Sequence, residues 1–467
     1  DKSRRESMMS PGTAGFPVGT SARPRLTLAA GAFCGVCACC ALSCLALVSM
    51  FALQPLPDVL PSGLLKLYVV ATGFSWAENL VCVLDPGRAS GASLFVTDSQ
   101  RGDVLRVDWV RAERARSGHY AQPILHPASA DFSLMAGIAW NKRTGQLFVL
   151  ANVRPSEPEP SEPEPFAIMT GLLSPGLRTR REHCVILELD AFAEPPAAAA
   201  DTYTVVAHLE RKCLGDGLAV HEKSGFLYVA SQGDFLPRNG VVFEVDPVSG
   251  SVRPIITNAF STDGAFIDQE AGLLYVTESL SPSHSVLVYS FAQRKVIKRI
   301  YPRGVSALDD FTLTADGHAI LAADFLGSSG VGFSTGTGAM KESGRRTWTH
   351  RGRSRTELAW RLVSGVAVPT SIRRGCSPDP TSGFNEELLF ITEGGGLAGL
   401  SDDRRVLAFA PPRGGFQLIA GETSAREKRS DLALAISGLS HAADGVTASR
   451  RFQTGGGDDE PAAYKYS

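Results

Sequence analysis

The chain of 467 residues reads as all-β, a six-bladed β-propeller preceded by one N-terminal transmembrane helix. Three observations predict this. A short apolar phrase recurs six times, the composition is rich in turn formers, and one long segment near the N-terminus carries no charge.

The phrase runs Leu94-Phe95-Val96-Thr97-Asp98, Leu147-Phe148-Val149-Leu150-Ala151 and Leu227-Tyr228-Val229-Ala230-Ser231. It returns as Leu274-Tyr275-Val276-Thr277-Glu278, Ile320-Leu321-Ala322-Ala323-Asp324 and Leu389-Phe390-Ile391-Thr392-Glu393. The starts lie 53, 80, 47, 46 and 69 residues apart. A strand-rich period of about 40–50 residues is the signature of a propeller, one copy per blade. The 47 glycines and 28 prolines supply tight turns and leave little room for long helices. At 44% hydrophobic the chain can bury a large core. A formal net charge of −2 gives no global field that would draw nucleic acid, so no nucleic-acid partner is expected.

In chain order, residues 1–25 form a cytosolic tail containing Lys2, Arg4, Arg5, Arg23 and Arg25. Residues 26–53 hold no charged side chain over 28 positions, enough to span a bilayer, which needs about 20. Positive charge before the segment orients the rest of the chain to the outside or to a lumen. A cleaved signal peptide has an apolar region of only about 7–15 residues, so the length favours a signal anchor; cleavage would make the chain secreted. Five of the nine cysteines sit here, as small apolar filler. Residues 54–66, with Pro55, Pro57 and Pro61, read as a stiff stalk.

The propeller is expected over 67–420. Residues Leu67-Tyr68-Val69-Val70 are placed to complete the last blade. The oversized gaps have linker composition. One carries Ser156-Glu157-Pro158-Glu159-Pro160 and its copy through Pro165, an extended acidic loop. The other, from about Gly327 to Arg355, is Gly/Ser-rich and ends in Arg345, Arg346, Arg351, Arg353 and Arg355, read as a solvated surface loop. A polar, partly disordered tail is expected over 421–467. Cys82, Cys184, Cys213 and Cys376 lie in the propeller and allow two bridges with three connectivities. They have no zinc-ligand spacing.

Within a repeat the strands are legible. Gly217-Leu218-Ala219-Val220 is one strand, Glu222 to Gly225 a turn, Phe226 to Ala230 the second strand and Val241 to Val245 the third. The phrase is apolar on both faces, as a strand packed between neighbouring blades should be.

Used as a ruler, the phrase exposes a second register. Eleven residues before its start stand Ala136, Asp216, Asp263 and Asp309. Glu78 takes the corresponding place in the first repeat, and Thr370-Ser371 in the sixth. These positions precede the innermost strands, so three Asp and one Glu should converge at one mouth of the central channel. Four like charges there call for a counter-ion, and Ca²⁺ takes six to eight oxygen ligands. An Asp-Gly pair capping a turn is the structural alternative.

Here the sequence resembles the senescence-marker/gluconolactonase (regucalcin-like) family of six-bladed propellers. Ala77-Glu78-Asn79-Leu80-Val81 is similar to its first metal-ligand motif. Thr262-Asp263-Gly264 through Tyr289 is similar to its Asn-Gly blade, and Leu308-Asp309-Asp310-Phe311 through Gly317 to its Pro-Asp-Gly blade. The resemblance covers most of 70–410 and is strongest over 216–325. It implies Ca²⁺ or another divalent cation held by Glu78, Asp216, Asp263 and Asp309. It also implies a hydrolase of lactones or related esters, with Asp309 as both ligand and base. Two departures stand out. Asp263 replaces the usual Asn, and Gly215-Asp216-Gly217 replaces Asn-Asp-Gly, so substrate specificity does not carry over.

Other motifs carry less. Gly332-Phe333-Ser334-Thr335-Gly336 fits a nucleophile elbow but falls in the Gly/Ser-rich gap. Gly394 to Gly399 contains GxGxxG, yet strand-like residues follow rather than a helix. Of the histidines, His284 or His318 could assist at the channel. The rival readings are a propeller that binds a peptide, sugar or protein without catalysis, and a strictosidine-synthase-like propeller.

Overall fold

A computed structural model describes residues 67–410, except 88–90, 111–117, 126–131, 154–182, 193–202, 210–212, 234–237, 280–283, 336–354 and 396–403. Every regular element among them is a β-strand, and the strands form six sheets. After β1 (Tyr68–Thr72), the first blade is β2 (Ala77–Leu84), β3 (Ala92–Asp98), β4 (Asp103–Val110) and β5 (Gly118–Leu125). The second is β6 (Phe132–Asn141), β7 (Gln146–Val153), β8 (His183–Leu189) and β9 (Tyr203–His208). The third is β10 (Gly215–Val220), β11 (Leu227–Ser231), β12 (Gly240–Asp246) and β13 (Ser251–Ala259). The fourth holds β14 (Thr262–Asp268), β15 (Leu273–Glu278), β16 (Ser285–Ser290) and β17 (Lys295–Arg303). The fifth holds β18 (Leu308–Leu313), β19 (Ala319–Asp324), β20 (Ser329–Ser334) and, past β21 (Arg355–Leu358), β22 (Trp360–Ser364). The sixth is β23 (Pro369–Arg374), β24 (Leu389–Glu393) and β25 (Arg405–Phe409), and β1 supplies its outer strand.

The recurring phrase is the second strand of each blade. Side chains alternate across a strand, so its two apolar faces feed two different cores. Leu227 and Val229 pack toward the second blade, and Tyr228 and Ala230 toward the fourth. Leu274 and Val276 face the third blade, Leu273 and Tyr275 the fifth. The hydrophobic core is thus six separate interfaces, one between each pair of neighbouring blades, and no blade buries both faces alone.

The ring is closed where the first and last described strands meet. Strand β1 pairs antiparallel with β25, matching Tyr68 to Ala408. Across the same junction Cys82 on β2 is bridged to Cys376 beyond β23, a separation of 294 residues. The second bridge, Cys184–Cys213, links β8 to the segment entering β10. Of the connectivities open in the sequence, the pairing that joins neighbouring blades is the one formed.

One expectation is corrected. The Gly/Ser-rich gap is not a loop from Gly327 onward: residues 329–334 form β20, and Val331 and Phe333 are buried against the fourth blade. Glycine belongs there because the sixth blade approaches closely. A Cβ at Gly330 would meet Ile372 of the sixth blade at 3.1 Å, besides Val363 of its own blade at 3.0 Å. Beyond it, β21 adds a parallel strand to β17, so the fourth sheet has five strands. The transmembrane helix expected over 26–53 falls outside the described residues, among which no helix is long and apolar enough to cross a membrane. The anchor segment, the stalk, the Glu-Pro loop, most of the arginine cluster and the tail lie outside the described residues.

Candidate metal centre

The six first strands β2, β6, β10, β14, β18 and β23 contact one another in a closed ring. Each carries a register shift against its partner, at Ala77/Leu80, Met135/Ile138, Gly215/Gly217, Thr262/Ala265, Leu308/Phe311 and Pro369/Ile372. A bulge of this kind leaves a residue out of the ladder and re-aims its side chain. The residues at it are Glu78, Ala136, Asp216, Asp263, Asp309 and Thr370. They therefore sit inside the first strands, not before them as the sequence suggested, and the bulge is the reason.

The Asp-Gly pairs also resolve differently from a turn. Gly217 lies in a strand, and a Cβ there would fall 2.1 Å from the Asp263 carbonyl oxygen. One at Gly137 would fall 2.6 Å from the Asp216 carbonyl, and one at Gly264 would fall 2.6 Å from the Asp310 Cα. Glycine follows the axial residue because the next blade's backbone occupies the volume a side chain would need.

Single carboxylate oxygens of Glu78, Asp216 and Asp309 lie within 4.8 Å of one another. Asp263 stands beside them, sharing a hydrogen bond with Asp216. Three of the four carboxylates are held by donors. Glu78 accepts from the Trp76 indole N–H and from Ser99 Oγ at 3.3 Å. Asp216 accepts from Gln232 Nε2 at 2.5 Å, and Asp263 accepts from Ser279 Oγ. Asp309 differs: no hydrogen bond to its carboxylate is formed among the described residues, and its Oδ1 is buried without a partner. Burial, then repulsion from neighbouring acids, pushes Glu78, Asp263 and Asp309 well above the usual carboxylate range. Burial raises Asp216 too, against the hydrogen bonds from Asp263 and Gln232.

The donor set fits a hard divalent cation. Two oxygens each about 2.4 Å from Ca²⁺ can be at most about 4.8 Å apart, so the spread of the three matches one shared ion. The buried oxygens Asp263 Oδ1 and Asp309 Oδ1 lack partners, which a cation would supply.

Several residues at this mouth were missed in the sequence. Ser99, Asn152, Gln232 and Ser279 all stand five residues after the start of the phrase. Asn152 bonds both the N–H and the carbonyl of Gly215 in the next blade. Ser99 and Ser279 also bridge to the next blade, at the carbonyls of Met135 and Leu308. Asp310 is fully buried beside Asp309, paired with Arg373 at 2.6 Å and with Ser371 Oγ at 2.8 Å. His284 donates Nδ1–H to the Ser279 carbonyl at 3.0 Å, and burial lowers its imidazole. His318 belongs to the hairpin at the far end of β18 and is not at this mouth.

The acids that end the phrase have a different task. Asp98 accepts from the N–H groups of Ser75 and Trp76, Asp324 from Ser306 and Ala307, Glu278 from Phe260 and Glu393 from Ala367. Each fixes the loop entering its blade's first strand. The preceding threonines reach across to the next blade. Thr97 bonds the Ala136 carbonyl, Thr277 that of Asp309 and Thr392 that of Glu78, at 2.8, 3.0 and 2.7 Å. The axial residues are therefore positioned by their neighbours' second strands.

No family model matches the chain, and no curated protein is similar to it in sequence. Solved structures share its general shape. The calcium-binding protein regucalcin from Agrobacterium tumefaciens is 13% identical at a TM-score of 0.43, over 74% of this chain and 94% of that one. A luciferin-regenerating enzyme is 12% identical at 0.47, over 74% and 95%. The PQQ-bound aldose sugar dehydrogenase of Streptomyces coelicolor is 12% identical at 0.46, over 74% and 97%. At such values the likeness carries no weight on ligand or activity, and the blade count rests on the sheets themselves.

Proposed function

We propose that this chain is a divalent-metal-dependent hydrolase of lactones or related esters, with Ca²⁺ as the metal and Glu78, Asp216, Asp263 and Asp309 as its carboxylate ligands. The observation that carries the reading is a buried acid cluster in which three members are clamped by donors and the fourth, Asp309, is not. Bound there, the cation would polarise a substrate carbonyl as a Lewis acid. The chain's own groups do the rest. Trp76, Ser99 and Gln232 hold Glu78 and Asp216 in fixed orientations, and Ser279 holds Asp263. Asp309 is the base: with no donor committed to it, its carboxylate is available to accept a proton from the attacking water. A ligated carboxylate is a weak base at neutral pH. In the cation-free fold, burial and then like charge raise Asp309 above the ordinary carboxylate range.

The reading places the propeller outside the cytosol, anchored by the uncharged stretch 26–53. The two disulfides support an oxidising compartment. A non-catalytic binding propeller is the second reading. It is favoured by Ala136 and Thr370, which leave an acidic crescent rather than a full ring. Hydrolysis of a lactone panel by the purified chain, with calcium and then with chelator, separates the two. The proposal expects calcium-dependent turnover that falls at least about a hundredfold in Asp309→Asn, the lower range for loss of a general base. Turnover indifferent to calcium and to Asp309→Asn removes it.

A further inference from the structure

The mouth above the carboxylates has two unlike rims. Five residues after the phrase start, the first four blades place Ser99, Asn152, Gln232 and Ser279. The fifth and sixth place Phe325 and Gly394 instead. Trp76 occupies the space that Gly394 leaves: a Cβ at 394 would fall 2.6 Å from the indole ring. The indole N–H is bonded to Glu78, which fixes the ring beside the acid cluster. The Phe325 ring lies 6.5 Å from that of Trp76, tilted by 40°. Its backbone N–H bonds the Ala307 carbonyl, two residues before Asp309. Both rings are half-buried rather than sealed in a core, and neither Trp76 nor Phe325 belongs to any of the six interblade clusters. Two rings outside the interblade cores, one bonded to Glu78 and the other on a residue whose backbone is tied to the segment entering β18, have the form of a ligand wall. An apolar ring against an aromatic face gains about 0.5–1.5 kcal/mol beyond its burial.

We propose that Trp76, with Phe325 beside it, is a ring-binding platform that selects substrates bearing an aryl group next to the scissile carbonyl. This rests on the hydrolase reading for the word substrate, and names its class: aryl-substituted lactones or esters rather than polyhydroxylated ones.

The test uses two neutral probes, γ-phenyl-γ-butyrolactone and unsubstituted γ-butyrolactone. Each is titrated calorimetrically, with calcium present, into the full chain carrying Asp309→Asn, which suppresses turnover. The platform predicts that the phenyl lactone binds about tenfold more tightly, as expected for one stacked ring. Adding Trp76→Ala erases that preference, and adding Trp76→Phe keeps most of it. Equal affinity for the two probes, a preference that survives Trp76→Ala, or no binding of the phenyl lactone overturns the proposal. So does an equal loss for both probes in Trp76→Ala, which would assign Trp76 to holding Glu78. Failure of the hydrolase reading shows separately, as absent turnover in the unmodified chain while the ring preference stands.

Discussion

Replacing Asp216 by asparagine should stabilise the protein when no cation is present and weaken its response when one is added. The Asp216 oxygen lies within 4.8 Å of oxygens from Glu78 and Asp309. At an effective dielectric constant of about 20, each ionised pair at that distance costs about 3.5 kcal/mol. Two fully ionised pairs would cost about 7 kcal/mol or more, but with the pKa values raised, protonation already removes part of this cost. Asparagine keeps an oxygen for Gln232 Nε2 and offers an N–H₂ to Asp263, so the hydrogen bonds of this side chain survive. A net gain of about 1–2 kcal/mol is the expected remainder, which corresponds to a rise of about 2–5 °C in melting temperature. Calorimetric melting in chelator and then in calcium provides both readings. In chelator the variant should melt above the parent. In calcium the parent should gain more, because binding to the native state stabilises by RT ln(1 + [L]/Kd). A variant that melts below the parent in chelator would show that the three acids do not repel across an empty centre, and the reasoning would fail.

Three further outcomes follow from the same structure. Gly217→Ala drives a Cβ to 2.1 Å from the Asp263 carbonyl, so it should cost about 3 kcal/mol or more and abolish calcium binding, both measurable by melting and titration. Converting Cys82 and Cys376 together to serine releases a loop of 294 residues, and the loop-entropy account predicts a loss of about 6 kcal/mol in denaturant unfolding; a loss below about 1 kcal/mol would mean that β1 and β25 close the ring unaided. Calcium affinity should rise with pH. Glu78, Asp263 and Asp309 titrate above their unfolded values, so the cation-free fold holds extra protons that binding must release, and affinity at about pH 5 should fall well below that at about pH 7. The sign for the cation-free chain is opposite: its stability should decline as pH rises through that window, since the native state binds more protons than the unfolded one.

The architecture was legible because a propeller repeats its physics. Leu227 to Ser231 must serve two cores, which forces an apolar run without alternation, and the same demand in every blade prints the same phrase. The register of Asp216, Asp263 and Asp309 was legible for the same reason. Their position inside a bulge was not, since an unpaired residue leaves no periodic trace. The phrase-ending acids were visible, but as a pattern without a task; their hydrogen bonds to loop N–H groups appear only once the loop is folded back. Trp76 precedes Glu78 by two residues, and on an extended chain that spacing puts both on one side, a signal that was available. Asp310 and Arg373 come from neighbouring blades, and nothing local connects them. The glycines at 330 and 332 masked β20 by imitating a loop, when the one at 330 answers a close approach from Ile372 of the sixth blade.

The central claim is that Glu78, Asp216 and Asp309, with Asp263 beside them, form one cation site. Calorimetric titration of calcium into the purified, chelator-stripped chain tests it most directly. The account predicts a single site per chain with proton release, lost when Glu78→Gln and Asp216→Asn are combined in a variant that still melts cooperatively. A chain that takes up no calcium, or a double variant that binds it as the parent does, would contradict it.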